Sequence, residues 1–501
     1  VTDNPSTAGG PAHDYRLAKV LGVMAVTASA LAAEYGAGIN FVSTQSLSVY
    51  PGVHGLVPLA MFVTGILMLP KTYLYIMFSR VMPRAGSKYI WIARSLGVPA
   101  GFLITFVWWV TGPAAGGVLA FAFGSFLGQA VVGVSPALGA AMLTPTGHLV
   151  CGLVAIWVTY AVNAAGVHRY GLFVTVLMFV IVAVALVICA IGFSTSQATF
   201  LAAASEITKV KLAAPATAPA NNYFDFVSVC SLFVFAYAGL GSGPALGGEV
   251  GEPQRKLPRG IAYGYAMALV LFTAVAAALF HAAPWWAITG LIKAGKSAYA
   301  TAPGLVGLVA PNWLSALLNL AVAIIVGKTL APGFMVGSRF AFAYGQDRML
   351  PAVFAETSKR KVPLAGLILH AVLSTVFLVQ AVYVGWAMGV AVRSIAVLGV
   401  WLAIAVGVLN LKWHPRWREA AWAAPILNQP FATFAAIVSI VIAVPLIASI
   451  AIVPKTPLIF QPLFQGAVVL VIGLVCLRLA GGYAKARGDS FSAMALRVPI
   501  E

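Results

Sequence analysis

Charge is scarce in this sequence. Of 501 residues only 8% are Asp, Glu, Lys or Arg, and 61% are hydrophobic. Soluble domains carry roughly 25% charged residues. A mean hydropathy of +0.96 over the whole length excludes a soluble enzyme or a nucleic-acid binder, despite a net charge of +18. It describes a polytopic membrane protein. Cysteine is scarce too. Cys151, Cys189, Cys230 and Cys476 lie in apolar runs without CxxC spacing, so they read as small buried hydrophobes, with no disulfide framework or metal site. The seven histidines form no HExxH; His54, His148, His281 and the others sit at span ends and receive no chemical role. No cofactor is expected, and no nucleophile–base or metal constellation supports a membrane-embedded enzyme. No cleavable signal is seen ahead of a soluble domain, and the start at Val1 reads as loss of at least the initiator methionine.

What is present is a series of apolar runs divided by Gly, Pro and charge. They predict twelve spans, at 18–45, 56–79, 100–128, 148–166, 170–193, 226–248, 260–281, 313–337, 363–386, 388–411, 431–453 and 460–480. Continuous rather than alternating runs favour helices over a barrel. Residues 1–17 then form a cytoplasmic N-terminal segment, 18–411 a transporter core, 412–480 two additional helices and 481–501 a cytoplasmic tail. Orientation follows from basic residues. With both termini inside, the outer segments hold only Lys209, Lys211, Lys293, Lys296, Arg393 and Lys455, and the spans hold Lys71 and Lys328. The rest of the 30 Lys and Arg fall on inner segments. Contact with anionic lipid accounts for that charge without a nucleic-acid partner, and the location expected is the plasma (cytoplasmic) membrane.

Two spans carry glycine interruptions at matching places, the best sequence pointer to a transporter site. The first contains Gly36-Ala37-Gly38 and the sixth Gly239-Leu240-Gly241-Ser242-Gly243-Pro244. An odd offset of five spans gives the two units opposite topology. The fold expected is therefore all-α integral membrane, twelve transmembrane helices with a five-plus-five inverted repeat and broken helices one and six. Unwound backbone is tolerated at membrane depth only where it lines a cavity. A half-helix N-terminus there suits a carboxylate, and opposing carbonyls suit an ammonium. Glycines in membrane helices also serve close packing; the matched pair favours the site.

Three inner segments carry a resemblance. Ser79-Arg80-Val81-Met82-Pro83-Arg84-Ala85-Gly86-Ser87-Lys88-Tyr89 resembles the PRAGGxY loop of the amino acid–polyamine–organocation (APC) transporters. Gly248 through Arg259 resembles their segment after helix six, and Ser338-Arg339 through Asp347-Arg348-Met349-Leu350-Pro351 and Val362-Pro363 their loop between helices eight and nine. The resemblance covers residues 15–420 and implies a leucine-transporter-like fold with alternating access around helices one and six. Departures are Ser87 for the second motif glycine, Gly248 for the first Glu of the Glu-Glu pair, Glu252-Pro253 for Asn-Pro, and Gly241 where helix six often has Glu. By carry-over, a substrate carboxylate meets backbone N–H groups at Ala37, Gly38 and Ile39. Its amine meets carbonyls near Glu34 and at Phe235, Ala236 and Ala238, with Gly239 in the same turn. Phe235 takes the place of an aromatic gate, and Gly112 that of a pocket-lining residue. Trp108 and Trp109 before it read first as packing or interfacial residues, with a pocket wall as the second reading.

Charges inside a membrane are functional candidates. Lys328 lies mid-way along the eighth span. Gly327-Lys328-Thr329 is no phosphate loop, since Val322 stands where the upstream glycine belongs. By the resemblance Lys328 falls where sodium-coupled relatives bind their second sodium. A lysine of the fifth helix serves that purpose in other members, but Gly171–Phe193 is uncharged. Glu34 is expected to partner Lys328, to carry a proton, or both. Lys71 is expected to reach inner headgroups, and Asp225 to start helix six.

The function expected is that of a secondary active transporter (permease) of small neutral amino acids, sodium-independent, proton-coupled or exchanging, with a lining that has no charged side-chain reader. A polyamine or organic cation carrier is the runner-up; a channel or structural membrane subunit is the alternative of another class. Partners are the amino acid, protons and membrane lipids. With no cysteine placed on an outer loop, no obligatory protein partner is inferred.

Overall fold

The computed structural model describes residues 19–217, 220–383, 387–452, 457–486, 490–491 and 495–496. The N-terminal segment 1–17, most of the 481–501 tail and the boundary between the ninth and tenth spans lie outside the described residues. Within them the fold is all helical, apart from one isolated bridge between Leu21 and Val250. Among the described residues eleven helices are long and apolar enough to cross a membrane. The first predicted span is not among them, because it is divided. Helix α1 (Val23–Glu34) stops at Tyr35, whose ψ of 93° is extended; a π-helical turn (Gly38–Val42) and α2 (Ser43–Val49) follow.

The remaining spans are α3 (Pro51–Val81), α4 (Val98–Val132), α5 (Pro145–Ala164), α6 (Gly171–Ser194), α7 (Tyr223–Ala245), α8 (Pro253–Ala282), α9 (Asn312–Gln346), α10 (Leu364–Tyr383), α11 (Gly389–Trp413), α12 (Ala432–Ile450) and α13 (Pro462–Gly482). Each overlaps a predicted run, and most bounds agree within about a turn. Two carry internal irregularities. In α7 the α-helix ends at Phe233 and gives way to a 3-10 segment, Ala236–Gly241. In α9 it pauses at Thr329, between Asn312–Lys328 and Leu330–Gln346. Pro332 supplies no N–H to the carbonyl of Lys328 four residues back, which loosens the ladder there.

α1 packs against α8, α6 and the 3-10 segment of α7; the first half of α9 packs against α4, and α10 against α4 and α5. The break after α1 and the 3-10 segment of α7 thus face each other inside the bundle. Asp225 stands in the first turn of α7, as the sequence indicates, and its Oδ2 accepts the Gly52 N–H at 2.7 Å. Of the cysteines only Cys230 is buried; the other three are half-buried, on helices whose outer faces are apolar.

The three motif segments meet at one end of the bundle. Arg94 forks onto Asp347, Nη1 to Oδ2 at 2.7 Å and Nη2 to Oδ1 at 3.2 Å, and the Tyr89 hydroxyl donates to Oδ2 at 2.6 Å. Arg339 pairs with Glu249 in the same forked manner and donates to Ser338 Oγ at 2.8 Å. Burial pushes the Glu249 carboxyl above the usual carboxylate range, and Arg339 draws it back. The Glu249 carbonyl accepts the Val20 and Leu21 N–H groups, each at 3.0 Å. Gly86 has φ +77°, and a β-carbon there would lie 2.5 Å from the Ala343 β-carbon. Ser87 adopts φ +25°, the left-handed side that a glycine tolerates at least cost. Removing one member of a buried forked pair leaves the other uncompensated, which costs about 3–5 kcal/mol. Arg94→Met is therefore expected to lower the thermal midpoint of the detergent-solubilised protein by many degrees. A midpoint unchanged from the wild type would show that the pair does not brace this end.

Candidate functional site

A cavity of about 100 Å³ lies between the break after α1 and the 3-10 segment of α7. α1 and its break contribute Ala33, Glu34, Gly36, Ala37 and Gly38, and α7 contributes Phe235, Ala238, Gly239 and Gly241. α4 adds Trp108, Trp109 and Gly112; α9, α10 and α11 close it with Thr329, His370 and Arg393 among others. Most of the residues named from the sequence therefore meet in one space. Ile39 and Ala236 lie just behind the lining, 0% and 1% exposed.

The close approach of the two breaks depends on glycine. A β-carbon on Gly239 would collide with the carbonyl carbon of Ala33 and stand 2.5 Å from the Glu34 nitrogen. One on Gly38 would stand 2.7 Å from the Ala236 β-carbon and 2.8 Å from its α-carbon. Gly38 begins a helical turn, and the first N–H groups of a helix have no partners within it. On α7 the Phe235 carbonyl already accepts the Ala238 N–H at 3.2 Å, leaving one lone pair.

Lys328 does not line the cavity. Its ammonium donates to the carbonyls of Ala32 and Tyr35, the second at 3.1 Å, and so ties the loose carbonyl end of α1 to α9 just before its pause at Thr329. Glu34 is not its partner. Both Glu34 carboxylate oxygens are buried, and the groups acting on them are Lys71, by its charge, and the Leu240 backbone N–H. Lys71 in turn does not reach headgroups. It is 1% exposed, with Nζ 5.5 Å from the Tyr75 ring centre and no acceptor. The pairing expected between two intramembrane charges is thus replaced: lysine satisfies helix-end carbonyls, and the carboxyl faces the cavity.

Three basic side chains escaped the sequence reading. Arg393, assigned to an outer segment, lies on α11 and lines the cavity, so the lining does carry a charged side chain. His370 lines it from α10, 3% exposed, with Nδ1 unpartnered. Lys88, the variable position of the first motif, rises from the loop end to place Nζ 3.5 Å from the Trp108 ring centre. Burial, with Arg393 and Lys71 adding to it, holds its amine well below the usual lysine range. Only the unusual Lys beside Tyr89 offered a signal; Arg393 near a span end offered none, and His370, grouped with the span-end histidines, in fact lies inside α10.

Comparison with known proteins gives the family. A model of the amino acid permease family matches residues 20–475. The branched-chain amino acid permease BcaP of Lactococcus lactis subsp. cremoris is 27% identical over 333 residues, 63% of this chain and 65% of the relative. The serine/threonine exchanger SteT of Bacillus subtilis is 24% identical over 362 residues, 72% of each chain. The vacuolar cationic amino acid transporter 2 of Arabidopsis thaliana is 23% identical over 435 residues, 82% of this chain and 62% of the relative. The chain thus spans just under two thirds of the length of the first and third of these. With its motif segments joined at one end of the bundle and the family match running through nearly every span, the chain belongs to the amino acid permease family of the APC superfamily, a family of transporters and not of enzymes.

Proposed function

We propose that this chain is a sodium-independent secondary transporter of small neutral amino acids, working by alternating access with proton coupling or exchange. The observation that carries the reading is the Lys328 ammonium bonded to the carbonyls of Ala32 and Tyr35 beside the cavity. A fixed cation at that point does what a bound sodium ion does elsewhere: it satisfies the carbonyl end of a half-helix and braces it on a neighbour. Gly36, Gly38, Gly112 and Ala238 keep the lining small, which suits a short side chain. Glu34, buried at the cavity with no salt bridge among the described residues, is the proton carrier in this reading. The breaks in α1 and α7 support a five-plus-five inverted repeat with the divided first span as one of twelve, and the basic bias puts both termini on the cytoplasmic side of the plasma membrane. No obligatory protein partner enters the reading.

Arg393 speaks against the polyamine alternative, since a guanidinium in the lining repels a cationic substrate. Uptake of labelled alanine into liposomes holding the full chain is expected to be inhibited by serine and alanine at concentrations at least about tenfold below those needed for arginine or spermidine, a difference of ~1.4 kcal/mol. Arginine or spermidine as the strongest inhibitor would make the protein an organic cation carrier.

A further inference from the structure

Trp108 bears two basic groups on its ring. Lys88 Nζ lies 3.5 Å from the ring centre and Arg393 Cζ 4.2 Å. Of the Arg393 nitrogens only Nη1 donates a hydrogen bond, to the Trp108 carbonyl at 2.5 Å and to Thr111 Oγ1 at 3.3 Å. Nε and Nη2 meet no acceptor among the described residues, on a side chain that lines the cavity. Lys88, 1% exposed, has no acceptor either, and its Nζ fills the place where a Gly241 β-carbon would stand. A basic group therefore lies directly behind the cavity wall as well as in it. Gly112 leaves the approach open: a β-carbon there would come within 3.5 Å of His370 Cε1 and 3.9 Å of Arg393 Nη1. Glu34 is the one acid among the described lining residues.

We infer that Arg393 reads a substrate side chain that ends in a carboxylate or carboxamide oxygen, so that aspartate and asparagine are preferred over an apolar amino acid of similar size. This assignment rests on the reading of the protein as an amino acid transporter and widens its neutral class to short acidic side chains. A guanidinium presents a planar fork whose free N–H groups match such oxygens two at a time. An apolar side chain in the same place strips water from those donors and returns nothing, which is the situation that separates similar substrates most sharply. The indole beneath supports the guanidinium by a cation–π contact without supplying an acceptor. Glu34 is the only carboxylate among the described lining residues that an incoming carboxylate meets, and the opposite charge acting on Glu34 is Lys71.

The test uses the full chain in liposomes, with uptake of labelled alanine as the signal and aspartate, asparagine and valine as unlabelled competitors. In the wild type aspartate or asparagine is expected to inhibit at concentrations about tenfold or more below those for valine. Arg393→Gln is expected to bring the competitors to parity, and Arg393→Lys to keep part of the preference. Valine inhibiting as well as aspartate and asparagine in the wild type overturns the assignment. So does a preference that is unchanged in Arg393→Gln. Where Arg393→Gln fails to fold, the wild-type ratio and Arg393→Lys decide. A wild type that is monodisperse yet takes up none of a labelled panel of alanine, serine, valine, asparagine and aspartate overturns the transporter reading and this assignment with it. In contrast, alanine uptake without acceptor preference overturns the assignment alone.

Discussion

Gly239→Val and Gly38→Val are each expected to abolish uptake. The positions are crowded by backbone, not by rotatable side chains. At Gly239 a β-carbon alone would stand 2.5 Å from the Glu34 nitrogen, and at Gly38 it would stand 2.8 Å from the Ala236 α-carbon. A flexible neighbour gives way at little cost, but here one half-helix must move off the other. Overpacking of this kind costs typically about 1–3 kcal/mol in a core that can relax. At the junction of two broken helices the relaxation itself opens the site. The structure puts Gly38 in a helical turn against Ala236, so the effect is on the meeting of the breaks. Gly466→Val, at a glycine on α13 with nothing within 4 Å of the added carbon, serves as the control and is expected to transport normally. Uptake surviving in both site variants, with protein amounts matched by size-exclusion chromatography, would place the substrate path elsewhere.

Lys328→Met is expected to abolish accumulation against a gradient while a measurable share of substrate binding persists. The ammonium is 3% exposed and is bonded to two carbonyls of one helix end. Methionine has similar length and no donor. It leaves the Ala32 and Tyr35 carbonyls buried and unsatisfied, at a cost of about 1–3 kcal/mol, and removes the tie between α1 and α9. A helix end without its tie samples both arrangements regardless of the driving ion, so coupling fails before binding does. The check is accumulation of labelled alanine driven by an inward proton gradient, beside binding by thermal shift. Accumulation equal to the wild type in Lys328→Met would make the lysine dispensable and leave Glu34 as the sole coupling group.

Much of this was legible because glycine and charge are costly in a bilayer. The runs between them predict the spans, and the paired interruptions, Gly36 to Gly38 and Gly239 to Pro244, predict where helices break. The motif segments point to one end of the bundle, where Arg94, Asp347, Glu249 and Arg339 form two buried pairs. What stayed hidden depends on side-chain direction. A span assignment places Arg393 near a membrane face, but its stem runs inward along α11 to Trp108. Lys71 sits about three turns from the end of α3, and the apolar residues around it in the chain do not say which way it points. Lys328 and Glu34 look like a pair because opposite charges in a membrane usually find each other; the carbonyls left open at the end of α1 were the stronger acceptor.

The most direct test of the account is uptake of a labelled panel of small amino acids into liposomes holding the full chain, with choline in place of all sodium. The account expects uptake of at least one small amino acid to proceed at the same rate in choline as in sodium, and to rise with an inward proton gradient or an internal exchange substrate. A requirement for sodium would contradict it, because the place that Lys328 holds between α1 and α9 would then have to be open to the ion.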